Sequence, residues 1–128
     1  MKVKTADLIG LALDWAVAKA EGLNPNSDPK VRRQYVGYPG FAEANGFGYV
    51  IKHYSTDWSQ GGPIIEREKL EVRANDYEWQ AFCFGFPVAK AHSGQKVWAS
   101  GPTPLIAVMR TLVASKLGDE VEIPEELL

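Results

Sequence analysis

The sequence predicts an α+β domain, an antiparallel sheet of about four to five strands with an N-terminal and a C-terminal helix packed on it. Three observations lead there. Apolar residues recur at helical spacing near both ends of the chain, and runs rich in aromatic and β-branched residues lie between them. Clusters of Gly, Pro, Asn and Ser separate the runs, as turns require.

The first helix is expected over residues 5–21. Thr5 suits its N-cap, and Asp7 places a negative charge in the first turn, where the helix dipole favours one. Leu8, Leu11, Ala12, Trp15 and Ala18 follow helical spacing, and Ile9, Leu13, Val17 and Ala20 add a second apolar row. Two rows predict neighbours on two sides. Asp7, Gly10, Asp14 and Glu21 fall on the polar side, and Gly22 is the expected stop.

Strands are expected at 33–36, 48–54, 69–74, 78–84 and 96–99, with loops over 22–30 and 37–47. Asn75-Asp76-Tyr77 predicts a hairpin between the third and fourth of these strands. A short helical turn is expected from Gly62-Pro63 to Arg67. The last helix runs over 103–117, with Thr103 as cap and Pro104 at the first position, where a missing N–H costs nothing. Leu105, Ile106, Met109, Leu112, Val113 and Lys116 form its inner face, and Gly118 ends it. The acidic residues beyond it (Asp119, Glu120, Glu122, Glu125, Glu126) read as a solvated surface.

At 128 residues the chain forms a single domain, long enough to build a core without staples. No apolar run approaches the roughly 18–20 residues that span a bilayer, and Asp7 and Asp14 interrupt any signal-like core near the start. A cytoplasmic protein is expected, with no membrane partner. One cysteine, Cys83, excludes an internal disulfide and a multi-thiolate zinc site. Set in Ala-Phe-Cys-Phe, it reads as a buried inert thiol. His53 and His92 lack ligand spacing, so neither a metal nor a cofactor is expected. The net charge is −2, and only Lys30, Arg32 and Arg33 cluster, which argues against general nucleic-acid binding.

Two segments could hold a ligand. Ser55-Thr56-Asp57-Trp58-Ser59-Gln60-Gly61-Gly62-Pro63 packs a carboxylate, an indole, hydroxyls, an amide and two glycines together. Asp57, Trp58, Ser59, Gln60, Gly61 and Gly62 are its candidates, since glycines permit close approach and polar groups orient a ligand. The plainer reading is a strand-to-helix connection with capping side chains. In the second segment, Ser100, Gly101 and Thr103 lead into the last helix, whose free N–H groups, those of Leu105 and Ile106, could face an anion. Ordinary capping explains it too, and its two prolines remove donors. Of the four tryptophans, Trp15 and Trp79 read as core, while Trp58 and Trp98 are placed to stack on a flat ligand. Glu66-Arg67-Glu68-Lys69 alternates in sign as a solvated segment does, and no catalytic signature is present.

Long strings carry a further resemblance. The opening Met-Lys-Val-Lys-Thr-Ala-Asp-Leu with Ala-Leu-Asp-Trp-Ala-Val-Ala, the block at 55–68, and the blocks at 101–110 and 113–124 resemble, in order, those of the NinX family of lambdoid phage accessory proteins. The resemblance implies a phage-encoded protein made in a bacterial cytoplasm and carries over no catalytic residue.

Three function classes follow as expectations. The first is a non-catalytic binder of a small anionic or aromatic, nucleotide-like ligand, sequestering a host defence signal, with both segments lining one pocket. The second is an interaction module for a host or phage protein, with homo-oligomerisation open. The third is a nucleotide hydrolase using Asp57 or Glu66 as base, ranked last for want of an acid–base pair with recognisable spacing.

Overall fold

Two antiparallel sheets and three α-helices make up the described part of the chain. The computed structural model describes residues 1–23, 51–83 and 97–128. The expected strand at 33–36, the loops over 24–30 and 37–47, the basic group at Lys30–Arg33 and His92 lie outside these residues, as do the ends of the expected strands at 48–50, 84 and 96.

The smaller sheet joins the two ends of the described fold. Strand β1 (Lys2–Lys4) pairs with β5 (Glu120–Glu122), setting Lys2 opposite Glu122, Val3 opposite Val121 and Lys4 opposite Glu120. Opposite charges thus meet on one face while the valines turn inward, each such pair adding a few tenths of a kcal/mol up to about 1 kcal/mol. The sequence reading missed this sheet. The acidic side chains of Asp119, Glu120, Glu122 and Glu125 are exposed as expected, but Val121, Ile123 and Leu127 between them are buried.

Thr5 does not cap the first helix. It opens a 3-10 turn (Thr5–Asp7), where its N–H donates to the Asp119 carbonyl at 2.8 Å and its hydroxyl to the Gly118 carbonyl at 2.7 Å. Helix α1 is Gly10–Ala20, entered through Gly10 at φ 60°. It ends at Gly22 as expected: Gly22 adopts φ 82°, and the Leu23 N–H reaches the Ala18 carbonyl at 3.0 Å. Asp14, expected on the polar side, is buried, because its carboxylate accepts the Ser55 N–H at 2.8 Å.

Residues 51–54 are not a strand. The chain turns there, with the N–H groups of Thr56 and Asp57 both donating to the His53 carbonyl. Helix α2 (Trp58–Glu68) then begins well before the turn expected at Gly62, and Pro63 lies inside it. Its end is a left-handed residue, Lys69 at φ 53°, with the Leu70 N–H closing on the Ile65 carbonyl. The charged segment is partly tied down: Arg67 pairs with Glu21 at 2.7 Å and with Glu68, and Lys116 reaches Glu68 at 3.1 Å. Burial pushes the Glu68 carboxyl up, but the hydrogen bonds from Arg67 and Lys116 outweigh it and hold that group below its ordinary value.

The larger sheet has the order β2-β3-β4: Glu71–Ala74, Trp79–Cys83 and Val97–Gly101. The predicted hairpin is there, its turn held by the Asn75 side chain, which accepts the N–H groups of Tyr77 and Glu78 at 2.8 Å each. Helix α3 (Pro104–Leu117) lies on this sheet, capped by Thr103, which accepts the Ile106 N–H at 3.2 Å. Ala107, Val108, Thr111, Ala114 and Ser115 are buried as well as the expected Leu105, Ile106, Met109, Leu112 and Val113, so α3 is surrounded rather than amphipathic, while Lys116, expected on the inner face, is only half-buried because it reaches Glu68. Among the described residues, helices α1 and α2 make their main contacts with α3. The Thr111 hydroxyl donates to the Ala81 carbonyl of β3 or the Ala107 carbonyl of its own helix, each at 2.9 Å. Cys83 is buried as expected, and Trp15 packs against the core, but Trp79 is 36% exposed where it had been expected inside. Among the described residues no helix is long and apolar enough to cross a membrane.

Candidate functional site

The starts of α2 and α3 lie side by side, and two glycines explain how. A Cβ built on Gly61 would stand 2.3 Å from the Tyr54 carbonyl oxygen and 2.9 Å from Leu105 Cδ2. One on Gly101 would stand 2.8 Å from Ile106 Cγ2 and 2.9 Å from the Ala107 nitrogen. Both positions are closed to any larger residue by the protein itself. These glycines therefore bring protein segments together, and the close approach expected of them is to backbone and apolar side chain. Gly62 differs: its nearest neighbour would be Trp58 Cε3 at 3.9 Å, an ordinary contact.

This packing leaves a cleft of about 230 Å³ lined by Ser55, Thr56, Trp58, Thr103, Pro104, Leu105 and Ile106. Two predicted residues from distant segments, Trp58 and Thr103, thus share one concavity. The Trp58 indole is 56% exposed, so its face is open to a partner. The first turn of α3 supplies few donors. Pro104 has none, the Ile106 N–H goes to the Thr103 hydroxyl, and the Ala107 N–H goes to the Thr103 carbonyl at 3.1 Å. Leu105 keeps a free N–H among the described residues.

The other predicted residues are placed differently. Asp57 is the N-cap of α2: its carboxylate accepts the Ser59 hydroxyl at 2.7 Å and the Ser59 N–H at 2.9 Å. Those bonds, hydroxyl first, hold the Asp57 carboxyl below its ordinary value. Ser59 and Gln60 line a separate polar hollow of about 400 Å³ with Glu21, Lys52, Tyr54 and Arg67, and the Gln60 amide oxygen accepts the His53 N–H. Trp98 and Ser100 do not join the Trp58 cleft. They line a hollow of about 440 Å³ beside β4, with Lys4, Thr5, Ala114 and Glu120. Trp98 is 53% exposed and stacks on Phe82 across the strands, ring centres 6.2 Å apart. The residues expected to line a single pocket are therefore divided among three hollows, with Trp58 and Trp98 in different ones.

Sequence reasoning passed over Ser55, although it lies inside the quoted segment. The residue is 2% exposed, and its hydroxyl has no hydrogen-bond partner among the described residues. A serine in a turn carries no signal of burial, so only the structure could single it out. Arg110 was missed as well. Its guanidinium joins the carbonyls of Leu8 and Ser100 at 2.8 and 2.9 Å, tying the entry of α1 to β4. Burial lowers its pKa, against the opposing charges of Asp7 and Glu78. Its signal was there to read: a cation in the middle of an apolar helix needs fixed acceptors.

Among the described residues no group of three His, Cys, Asp or Glu side chains gathers as it would around a metal ion. Among curated proteins none matches this chain. The family described as Bacteriophage P22, NinX matches residues 4–116, most of the length and all three helices, and the chain belongs to that family of phage accessory proteins.

Proposed function

We propose that the protein is a non-catalytic binder whose Trp58 cleft takes the planar part of a nucleotide-like ligand. The observation that carries this reading is that an exposed indole and the free end of α3 line one concavity. At about 230 Å³ the cleft falls below the roughly 300–1,000 Å³ of pockets that swallow whole ligands. It suits one ring system stacked on Trp58, with the charged part of the ligand left at the rim in water. A phage protein that holds such a molecule without consuming it would sequester a host defence signal in the bacterial cytoplasm. Hydrolysis with Asp57 or Glu66 as base gains no support: Ser59 already engages the Asp57 carboxylate, and Glu66 sits exposed on α2 away from the cleft lining.

Isothermal titration against linear and cyclic mononucleotides tests the reading. The wild type should bind at least one of them saturably. Trp58→Ala should bind it roughly 30-fold more weakly, the equivalent of about 2 kcal/mol for one lost stacking contact. Absence of heat from every nucleotide at millimolar concentration would remove the proposal.

A second reading rests on a different observation. Tyr77, at the hairpin turn, is 95% exposed, and Trp79 and Trp98 are 36% and 53% exposed. Aromatic side chains presented in this way suit a protein partner, or a second copy of the chain. Affinity capture from infected cells separates the two readings, because a stoichiometric protein partner favours docking over ligand holding.

A further inference from the structure

The two edges of the larger sheet are built differently. Strand β2 ends it on one side with Glu71-Val72-Arg73-Ala74, whose two charged side chains discourage a further strand from pairing there. Strand β4 ends it on the other with Val97-Trp98-Ala99-Ser100-Gly101, which carries no charge and no proline. It pairs with β3 at all five positions without a bulge, so its outer edge is a regular template. Every second residue of an edge strand turns its N–H and C=O away from the sheet. Among the described residues no main-chain group takes up those of β4, and of its carbonyls only that of Ser100 meets a side chain, Arg110.

The Trp98 hollow runs along this edge. Trp98, Ala99 and Ser100 all line it, and consecutive residues of a strand point to opposite faces, so a hollow that touches three in a row lies beside the strand and not above it. Its volume is about 440 Å³. A strand residue fills roughly 160 Å³, from its rise, the spacing between strands and that between sheets, so the hollow has room for about three residues of extended chain. The open main-chain groups lie in a row, and only an extended chain meets them together; a small ligand would meet one. The rest of the lining sets the charge of the incoming chain. Acidic groups outnumber basic ones, Asp119 and Glu120 against Lys4, and the half-exposed Trp98 indole offers its face to a cation. A second copy of β4 would bring no positive charge, so the lining suits a foreign segment better.

We propose that the open edge of β4 takes up an extended segment of a partner protein as a further strand of the larger sheet, with a Lys or Arg of that segment over Trp98. The inference stands apart from the Trp58 cleft. It rests on the protein-docking reading and gives that reading a surface and a mode of recognition: main-chain bonds supply the affinity, and one basic side chain supplies the choice of partner.

Three end-blocked peptides serve as probes: Thr-Val-Arg-Val-Thr, the same peptide with glutamate in place of arginine, and the arginine peptide methylated on every backbone nitrogen. Nuclear magnetic resonance of the isotope-labelled full chain reads the amides of Val97–Gly101. The arginine peptide should shift these signals saturably at millimolar concentration. The glutamate peptide should bind at least about threefold more weakly, and the methylated one should leave the signals in place. Trp98→Thr, a strand-forming replacement at an exposed position, should weaken the arginine peptide by about threefold, the size of one exposed cation–π contact, and leave the glutamate peptide unchanged. The edge proposal is overturned if the β4 amides do not move, if the methylated peptide binds as well as its parent, or if the arginine and glutamate peptides bind alike. A chain that sediments as a dimer, with β4 amides protected from hydrogen exchange before any peptide is added, would give the edge to a second copy and overturn the proposal as well. Shifts confined to the surroundings of Tyr77 would move docking to the hairpin, so that the edge falls and the protein-docking reading survives.

Discussion

The Trp58 cleft and the Trp98 hollow each set an exposed indole beside a concavity, yet they differ in what surrounds the ring. The Trp98 hollow is larger, about 440 against 230 Å³, but several of its polar groups are already engaged. The Thr5 hydroxyl donates to Gly118, the Ser100 carbonyl accepts from Arg110, and Lys4 faces Glu120 across the small sheet. Beside Trp58 the buried Ser55 hydroxyl and the Leu105 N–H have no partner among the described residues. The difference teaches that size ranks the two sites one way and unmet hydrogen-bonding capacity ranks them the other. Capacity is the better guide for a small ligand, because a polar group already satisfied by the fold has less to gain from a ligand.

The comparison can be broken most forcefully at the glycine beneath the smaller cleft. Gly61→Ala drives a methyl into the Tyr54 carbonyl and Leu105, so it should cost about 3 kcal/mol, read as a lower midpoint in urea or heat denaturation. One residue on, Gly62→Ala meets only open space and ordinary contact in a helix interior. It should raise stability by roughly 0.5–1 kcal/mol in the same assay. Opposite signs at adjacent positions would establish that α2 is seated against α3 as described. Equal signs would mean that the cleft does not have this floor.

Smaller effects sharpen the contrast. Trp98→Ala should leave nucleotide affinity within about twofold of wild type by titration, since a site that does not stack the ligand has no stacking energy to lose. A large loss would move the site to the other hollow. The smallest effect is acid sensitivity. Because the Asp57 carboxyl is held below its ordinary value in the folded chain, its contribution is fully present above the ordinary carboxylate range. It fades as pH falls through the lower folded-state value. Asp57→Asn should therefore flatten the acid limb of the stability profile, measured by thermal melts between neutral and acid pH, while Trp98→Ala should not.

The helices and the hairpin were legible where local chemistry decides. Thr103, Pro104 and Gly118 bracket α3, and Asn75 marks the turn between β2 and β3 as read. The misreadings share one cause, a distant partner overriding the local pattern. Gly61 and Gly62 argue against helix by propensity, yet Gly61 must be glycine for α2 to reach Leu105, and Asp57 supplies the cap that starts the helix earlier. Thr5 looked like a cap until Gly118 claimed its hydroxyl, and Asp14 looked solvated until Ser55 claimed its carboxylate. The β1–β5 pair is three residues long on each side, too short to alternate visibly, and its register depends on charges more than a hundred residues apart in the chain. At the site, Trp58 and Thr103 were read correctly as individuals. Their meeting, and the separation of Trp98 from them, depends on packing that no local pattern encodes.

The Thr111 hydroxyl gives the central helix an angular reference. A cylinder that is greasy on nearly every side can be rolled about its axis at little cost, and the same contacts would be traded for similar ones. The reach of that hydroxyl toward the Ala81 carbonyl works like a key in a shaft: it selects one rotation out of many near-equals. Since Pro104 and Leu105 ride on the same cylinder, the key set nearly two turns further along also fixes which way the mouth of the Trp58 cleft faces.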